Sequence, residues 1–235
     1  MPTLAFDTCL GAVSVALSWI DDRGQLCLEG RFELCRAGHA ERLLPMIDSV
    51  LRDTGHAARA IDRIAVTLGP GTFTGVRTGI AAARAMALAS GASVVGTTSL
   101  AVIAQQFMRE GEIEEYTGCC TAVAVDARKG QMFLQLFGDD GTPLGSPELA
   151  SIADASERLR GRRWRIAGSA AEGLAAAARA QGIEVVGVVP VVEPDARDLV
   201  ALAPNLAPLS RIAPLYLRAP DAIVQAGKGL PRAAS

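Results

Sequence analysis

The chain has 235 residues, half of them apolar and a fifth charged, with a formal net charge of −2 at pH 7. This length can bury one large core or two small ones. The near-neutral balance, with no long basic run, excludes a protein that grips nucleic acid unaided along a basic stripe. Only 4% of residues are aromatic while alanine, valine and leucine dominate, which suits α/β layers better than an all-β sandwich.

"TLAFDT", "AVSVALSWI" and "LCLEGRFEL" predict three consecutive strands joined by tight turns at Gly11 and Asp21–Gly24. From His39 to Thr54 the apolar residues keep helical spacing, and Pro45 inside that run predicts a kink or a displaced first turn. "IDRIAVTL" is a fourth strand. A helix capped by Thr74 and ending at Gly91 follows, then the strand "SVVGTT" and the helix "SLAVIAQQFMRE".

The charged stretch "REGEIEE" marks a boundary, beyond which the order restarts in shortened form. Strands at "CCTAVAVDARKG" and "QMFLQLFGDDG" are followed by helix Asp154–Leu159, strand "RWRIAG", helix Ala170–Gln181, strand "IEVVGVV" and the helix of "PDARDLVALA". Three regions are expected: an N-terminal lobe over 1–108, a degenerate C-terminal lobe over 109–204, and a Pro-rich tail over 205–235. No run of about eighteen uncharged apolar residues is present, and Asp7 interrupts what would be a signal peptide. The five cysteines are odd in number and lack C-x-x-C spacing. A cytoplasmic protein with reduced thiols and no membrane span is therefore expected.

"LGPGTFTGVRTGIAAARAMALA", Leu68 to Ala89, carries the most information. Its glycines match neither the P-loop nor the dinucleotide fingerprint, because no Lys-Ser/Thr follows and Thr74 stands at the sixth position. Two readings stay open: a helix N-terminus that holds an anion, or a tight strand-to-helix turn in which glycines permit close backbone approach. Arg77 lies in the first turn, where a cation opposes the helix dipole by up to about 1 kcal/mol. A local carboxylate, carbonyl or bound anion is expected to offset it.

Both this helix and the one before it carry more apolar surface than a sheet-facing helix needs. The apolar arc of the first spans roughly 160°, against about 100° for one buried face. The excess predicts a helix-to-helix contact with another chain. Its expected residues are Leu43, Met46, Ile47 and Val50 on the first helix, with the Met46 edge outward, and Gly75, Arg77, Gly79 and Ala83 on the second.

"LAFDT", "ELCRAGHAERLLPMI", "GPGTFTGVRTGIAAARAMALA" and "PLYLRAPDA" resemble the TsaB (YeaZ) family. The resemblance implies an α/β fold of the ASKHA type (actin-like ATPase, ribonuclease H-like), with two lobes of mixed β-sheet flanked by helices. It implies a non-catalytic subunit that pairs with the catalytic relative TsaD and the ATPase TsaE. Together they place threonylcarbamoyl on N6 of adenosine 37 of ANN-decoding tRNAs. A homodimer of the isolated chain is a further expectation, and tRNA is expected to bind only through the complex.

The phosphate-binding turns of active relatives are eroded here. Asp7-Thr8-Cys9 keeps the carboxylate without a close glycine, Asp126-Ala127-Arg128 is bulky, and "AGSAAEG" has one glycine (Gly168) where a pair belongs. No intrinsic cofactor is expected, with ATP or ADP and metal assigned to the partner subunits. Asp7 and Asp126 are read as turn formers.

Two alternatives remain: a free-standing ASKHA ATPase or kinase, and a metallopeptidase of the kind relatives were once named. The second needs two histidines at i and i+4 on one helix face. His39 holds the first place, but Leu43 holds the second. The purified chain should therefore hydrolyse no peptide and carry no stoichiometric zinc or iron through dialysis. Metal that survives dialysis and is lost in His39→Ala would refute this.

Overall fold

The computed structural model describes residues 1–109, 116–189 and 193–218. The "REGEIEE" boundary, apart from the backbone of Arg109, and the tail beyond residue 218 lie outside the described residues. Strands β1 (Thr3–Asp7), β2 (Ala12–Ile20), β3 (Leu26–Leu34), β4 (Arg63–Thr67) and β5 (Ser93–Thr97) form one five-stranded sheet in the order β3-β2-β1-β4-β5. Helix α1 (His39–Asp53) follows β3, α2 (Phe73–Ser90) links β4 to β5, and α3 (Ser99–Arg109) follows β5.

The second half repeats this plan. Strands β6 (Cys120–Asp126), β7 (Gln131–Phe137), β8 (Glu148–Ser151), β9 (Trp164–Ala167) and β10 (Val185–Val189) form a sheet ordered β10-β9-β6-β7-β8. Helices α4 (Ile152–Arg158), α5 (Ala171–Ala180) and α6 (Ala196–Leu202) occupy the places of α1, α2 and α3. In each sheet the first three strands pair antiparallel and the rest parallel. The duplicated mixed sheets are those of an ASKHA-type α/β fold.

Strand β8 is not expected from the sequence. It is only four residues long, and its sequence ELAS has no hydrophobic alternation. Helix α1 runs through Pro45 from His39 without a displaced first turn. The hydroxyl that caps α2 belongs to Thr72, which accepts from the Gly75 N–H, and not to Thr74. Gly91 ends that helix in the left-handed region, as its position in the sequence predicts.

The first sheet is asymmetric in side-chain size. Leu4, Phe6, Val13, Val15, Leu17, Ile64 and Val66 point to one face and pack under α1 and α2 with Leu43, Ile47, Val50 and Ala83. The other face presents Ala5, Ala16 and Ala65, which are direct neighbours across β2, β1 and β4. These small residues let α6 sit close, through Ala196, Leu199 and Val200. Residues 196–202, assigned from the sequence to the second lobe, thus pack on the first sheet. Ser14 Oγ fixes their entry, donating to the Pro194 carbonyl at 3.1 Å and accepting from the Ala196 N–H at 3.0 Å.

Helix α3 makes the converse crossing. Leu100, Ile103, Ala104 and Phe107 pack on Val123, Val125, Phe137 and Ala167 of the second sheet, and α3 also touches α6. Each half therefore lends its third helix to the other.

This exchange predicts a single unfolding transition. Trp19 reports the first sheet and Trp164 the second, and they are the only tryptophans. Single-tryptophan variants should give coincident melting curves. Leu199→Ala should lower the stability of both sheets together by about 2–5 kcal/mol, since it opens a cavity in a closed layer. Separate transitions would show that the halves fold independently.

Candidate functional site

The turn after β1 meets the entry to α2 at backbone contact. The Thr72 N–H donates to the Cys9 carbonyl at 2.7 Å, and the Thr8 hydroxyl donates to the Gly75 carbonyl at 2.7 Å. A Cβ on Gly71 would lie 2.2 Å from the Cys9 carbonyl oxygen, and one on Gly75 would lie 2.0 Å from that of Thr8. Only glycine fits either place. Of the two readings open for the glycines, close backbone approach is the one they fulfil.

Asp7 is completely buried behind this contact. Its Oδ1 accepts the Cys9 N–H at 3.1 Å, and its Oδ2 accepts the Thr67 hydroxyl. Burial pushes its pKa up to about 7, partly offset by the Thr67 and Cys9 hydrogen bonds, with nearby Glu193 adding a further upward push. Glu193 accepts the Gly11 N–H at 2.7 Å and is itself raised by burial. The second-half turn repeats the device in exposed form, with Asp126 Oδ1 accepting the Arg128 N–H at 2.9 Å. Arg128, Lys129 and Gly130 all have positive φ there.

His39 begins α1, where its Nε2 lies 2.8 Å from the Leu10 carbonyl, so it ties the helix to the β1–β2 turn. His56 packs on Trp19 instead, with its ring centroid 5.1 Å away. The two imidazoles share no site.

Arg77 is met by aromatic rings, not by a carboxylate or an anion. Its guanidinium lies 3.8 Å from the centroid of Phe73, which stacks on Tyr216, and its Nε donates to the Tyr216 hydroxyl at 2.9 Å. A cation–π contact at an exposed site contributes about 0.5–1 kcal/mol, comparable to the dipole term it offsets. Tyr216 belongs to a C-terminal segment to which the sequence assigns no role beyond its likeness to the family. That segment bonds Leu209 N–H to Val94, Leu215 N–H to Leu68 and Arg84 to the Ile212 carbonyl. At its end Arg218 holds the Ala127 and Arg128 carbonyls and Gln131 of the second-half turn. The strap thus joins α2 to the other lobe.

The expected interface residues divide. Leu43, Ile47 and Val50 are core, as are Gly75, Gly79 and Ala83 on the inner side of α2. The arc of α1 is wide because it must cover both the sheet and α2, which lies against it. Met46 is half-buried, and with Arg31, Glu33, Arg42, Pro45 and Ser49 it lines a shallow groove of about 460 Å³ between β3 and α1. Outward on α1 stands Leu44, 59% exposed, and near the end of α2 stands Leu88, 90% exposed. The outward edge expected at Met46 and Val50 is therefore corrected to Leu44.

The family model for TsaD, tRNA N6-adenosine threonylcarbamoyltransferase, matches residues 33–188. The tRNA threonylcarbamoyladenosine biosynthesis protein TsaB of Escherichia coli is 32% identical over 168 residues, which span 72% of this chain and 68% of that protein. The chain belongs to the TsaB (YeaZ) family. YeaZ from Pseudomonas aeruginosa, a solved structure, superposes with a TM-score of 0.73 at 28% identity, covering 92% of this chain and all of that one. A second solved structure, described as similar to peptidase YeaZ from Pseudomonas aeruginosa, gives 0.76 at 29% identity, covering 92% of this chain and 99% of that one. TsaB-family membership accounts for the duplicated plan. Among the described residues no helix is long and apolar enough to cross a membrane.

Asp7 makes the site pH-sensitive in a defined direction. Its pKa is about 7 folded and near 3.8 unfolded, so the folded state holds the extra proton between those values. Its contribution is fully present below about pH 4 and is lost as pH rises through 7. Asp7→Asn, which keeps an acceptor for Cys9 and a partner for Thr67, should flatten the fall in stability over that window. Urea unfolding across pH 4–8 measures it, and an unchanged slope would place the titration elsewhere.

Proposed function

We propose that this chain is a non-catalytic scaffold and activator subunit of the assembly that installs threonylcarbamoyl on N6 of adenosine 37 of ANN-decoding tRNAs. In this reading it docks on a TsaD-type catalytic subunit and works with a TsaE-type ATPase. The filled first turn supports the reading most. The Thr72 N–H is bonded to Cys9, the Gly75 N–H to the Thr72 hydroxyl, and backbone occupies the space beside both glycines. A nucleotide's phosphates are left no cradle of free N–H groups there. ATP or ADP and metal then belong to the partner subunits.

The outward side of the α1–α2 pair is the proposed docking surface, with Leu44 and Leu88 as its apolar points. Arg77 borders it, held by Phe73 and Tyr216. A net charge of −2 suits a protein that reaches tRNA through its partner.

The experiment joins partner capture to thermal melting. Leu44→Glu and Leu88→Glu should each weaken capture of the TsaD-type subunit by several kcal/mol and lower modified adenosine in cells. The isolated chain should change by under about 0.5 kcal/mol. Leu43→Glu, which charges the core, should instead unfold it. Capture that survives both outward charges would move the surface elsewhere, and tight ATP binding by the isolated chain would favour the ATPase or kinase reading.

A further inference from the structure

Strand β3 is the last strand of its sheet and is nine residues long, with only β2 as a partner. At one end of the hairpin the Cys35 N–H donates to the Gly11 carbonyl at 2.9 Å, and at the other the Asp21 N–H donates to Gln25 at 2.9 Å. With the register Ala12↔Leu34 through Ile20↔Leu26, odd-numbered residues of β3 turn their peptide groups to β2. Residues 26, 28, 30, 32 and 34 therefore turn theirs outward. The same residues place Leu26, Leu28, Phe32 and Leu34 on one face, all exposed, with Leu26 at 73% and Leu34 at 68%. A long edge with an apolar face is a template for another strand.

The sequence of this edge, LCLEGRFEL, is complementary to itself in the antiparallel sense about Gly30. Leu26 faces Leu34 of a second copy, Leu28 faces Phe32, and Glu29 faces Arg31, each twice. The outward peptide groups fall in register, giving about ten main-chain hydrogen bonds at two per facing pair. Sliding by two residues is the smallest shift that keeps outward groups facing each other. Centred on residue 29 it sets Glu29 against Glu29; centred on residue 31 it sets Arg31 against Arg31 and Glu29 against Glu33. Only the Gly30 register is free of like-charge pairs. On the axis itself the missing Cβ leaves room for Arg197, whose charge is already matched by Asp195.

We infer that two copies of this chain pair edge to edge through β3, antiparallel and centred on Gly30, to form one continuous ten-stranded sheet across a two-fold axis. The inference is independent of the assembly proposed above, because Leu44 and Leu88 are not part of this edge.

The test uses the full chain in sedimentation or light-scattering measurements up to about 100 µM, beyond the micromolar range of ordinary pairings. The wild type should dimerise. Glu29→Arg, which sets arginine against Arg31 in the other copy, should weaken the dimer about tenfold or more without lowering the melting temperature, and Glu29→Arg/Arg31→Glu should restore it. Register is read separately. Glu33→Cys should cross-link to native Cys27 of the second copy under oxidised glutathione, since 27 and 33 form a closely spaced non-hydrogen-bonded pair. Glu33→Cys/Cys27→Ser should not cross-link. A chain that stays monomeric throughout overturns the inference. So does a dimer indifferent to Glu29→Arg in which Glu33→Cys gives no cross-link to Cys27, whether or not Leu44→Glu dissolves it. If Glu29→Arg fails to fold, the cross-link alone decides.

Discussion

Two sheets of identical order each have two faces to cover, and neither half keeps all its helices for itself. The reciprocal placement of α3 and α6 is the constraint on which the rest depends. Because α6 lies on the first sheet, that sheet's inner face must be lined by Ala5, Ala16 and Ala65, while its large residues gather under α1 and α2. Because α3 lies on the second sheet, Leu100 and Ile103 are shielded by Val123 and Val125. The two layers between the sheets are thus buried from both sides, and neither half has a complete core alone.

The entry to α2 follows from this arrangement. β4 and β1 are parallel neighbours, so the end of β4 delivers Gly69–Gly75 directly onto the β1–β2 turn. Glycine allows the two backbones to touch, and Thr8 and Thr72 satisfy the polar groups that contact leaves. Asp7, sealed behind them, keeps its hydrogen bonds but loses water, which is why its proton is held towards neutrality. The same β1–β2 turn, exposed as β6–β7 in the second half, leaves Asp126 in solvent and is braced by Arg218 from outside. One motif has thus become a packing joint in one lobe and a strap anchor in the other.

Much of this was legible in the sequence. The strand order, the repeat and the positions of five of the six helices follow from period and from turn residues at Gly11, Gly91 and Gly168. What was not legible is where faces point. A wide apolar arc on α1 reads the same whether it meets a partner or a neighbouring helix, so Leu43, Ile47 and Val50 could not be told from surface residues by periodicity. The partners of Arg77 were hidden for a different reason. Tyr216 lies 139 residues away, and pattern within a window carries no information at that distance. Strand β8 was missed because a four-residue edge strand needs no alternation to hold it.

The crossing of α6 also bears on how the chain is made. During synthesis the five strands of the first sheet leave the ribosome early, yet the helix that covers their alanine face comes after residue 195. Through most of translation that face stays open, with β3 an unpaired edge beside it, and the nascent chain is exposed to wrong pairings until its end emerges. A holding chaperone that binds small-residue apolar sheet surface, released as α6 docks, suits a protein whose first lobe is completed last.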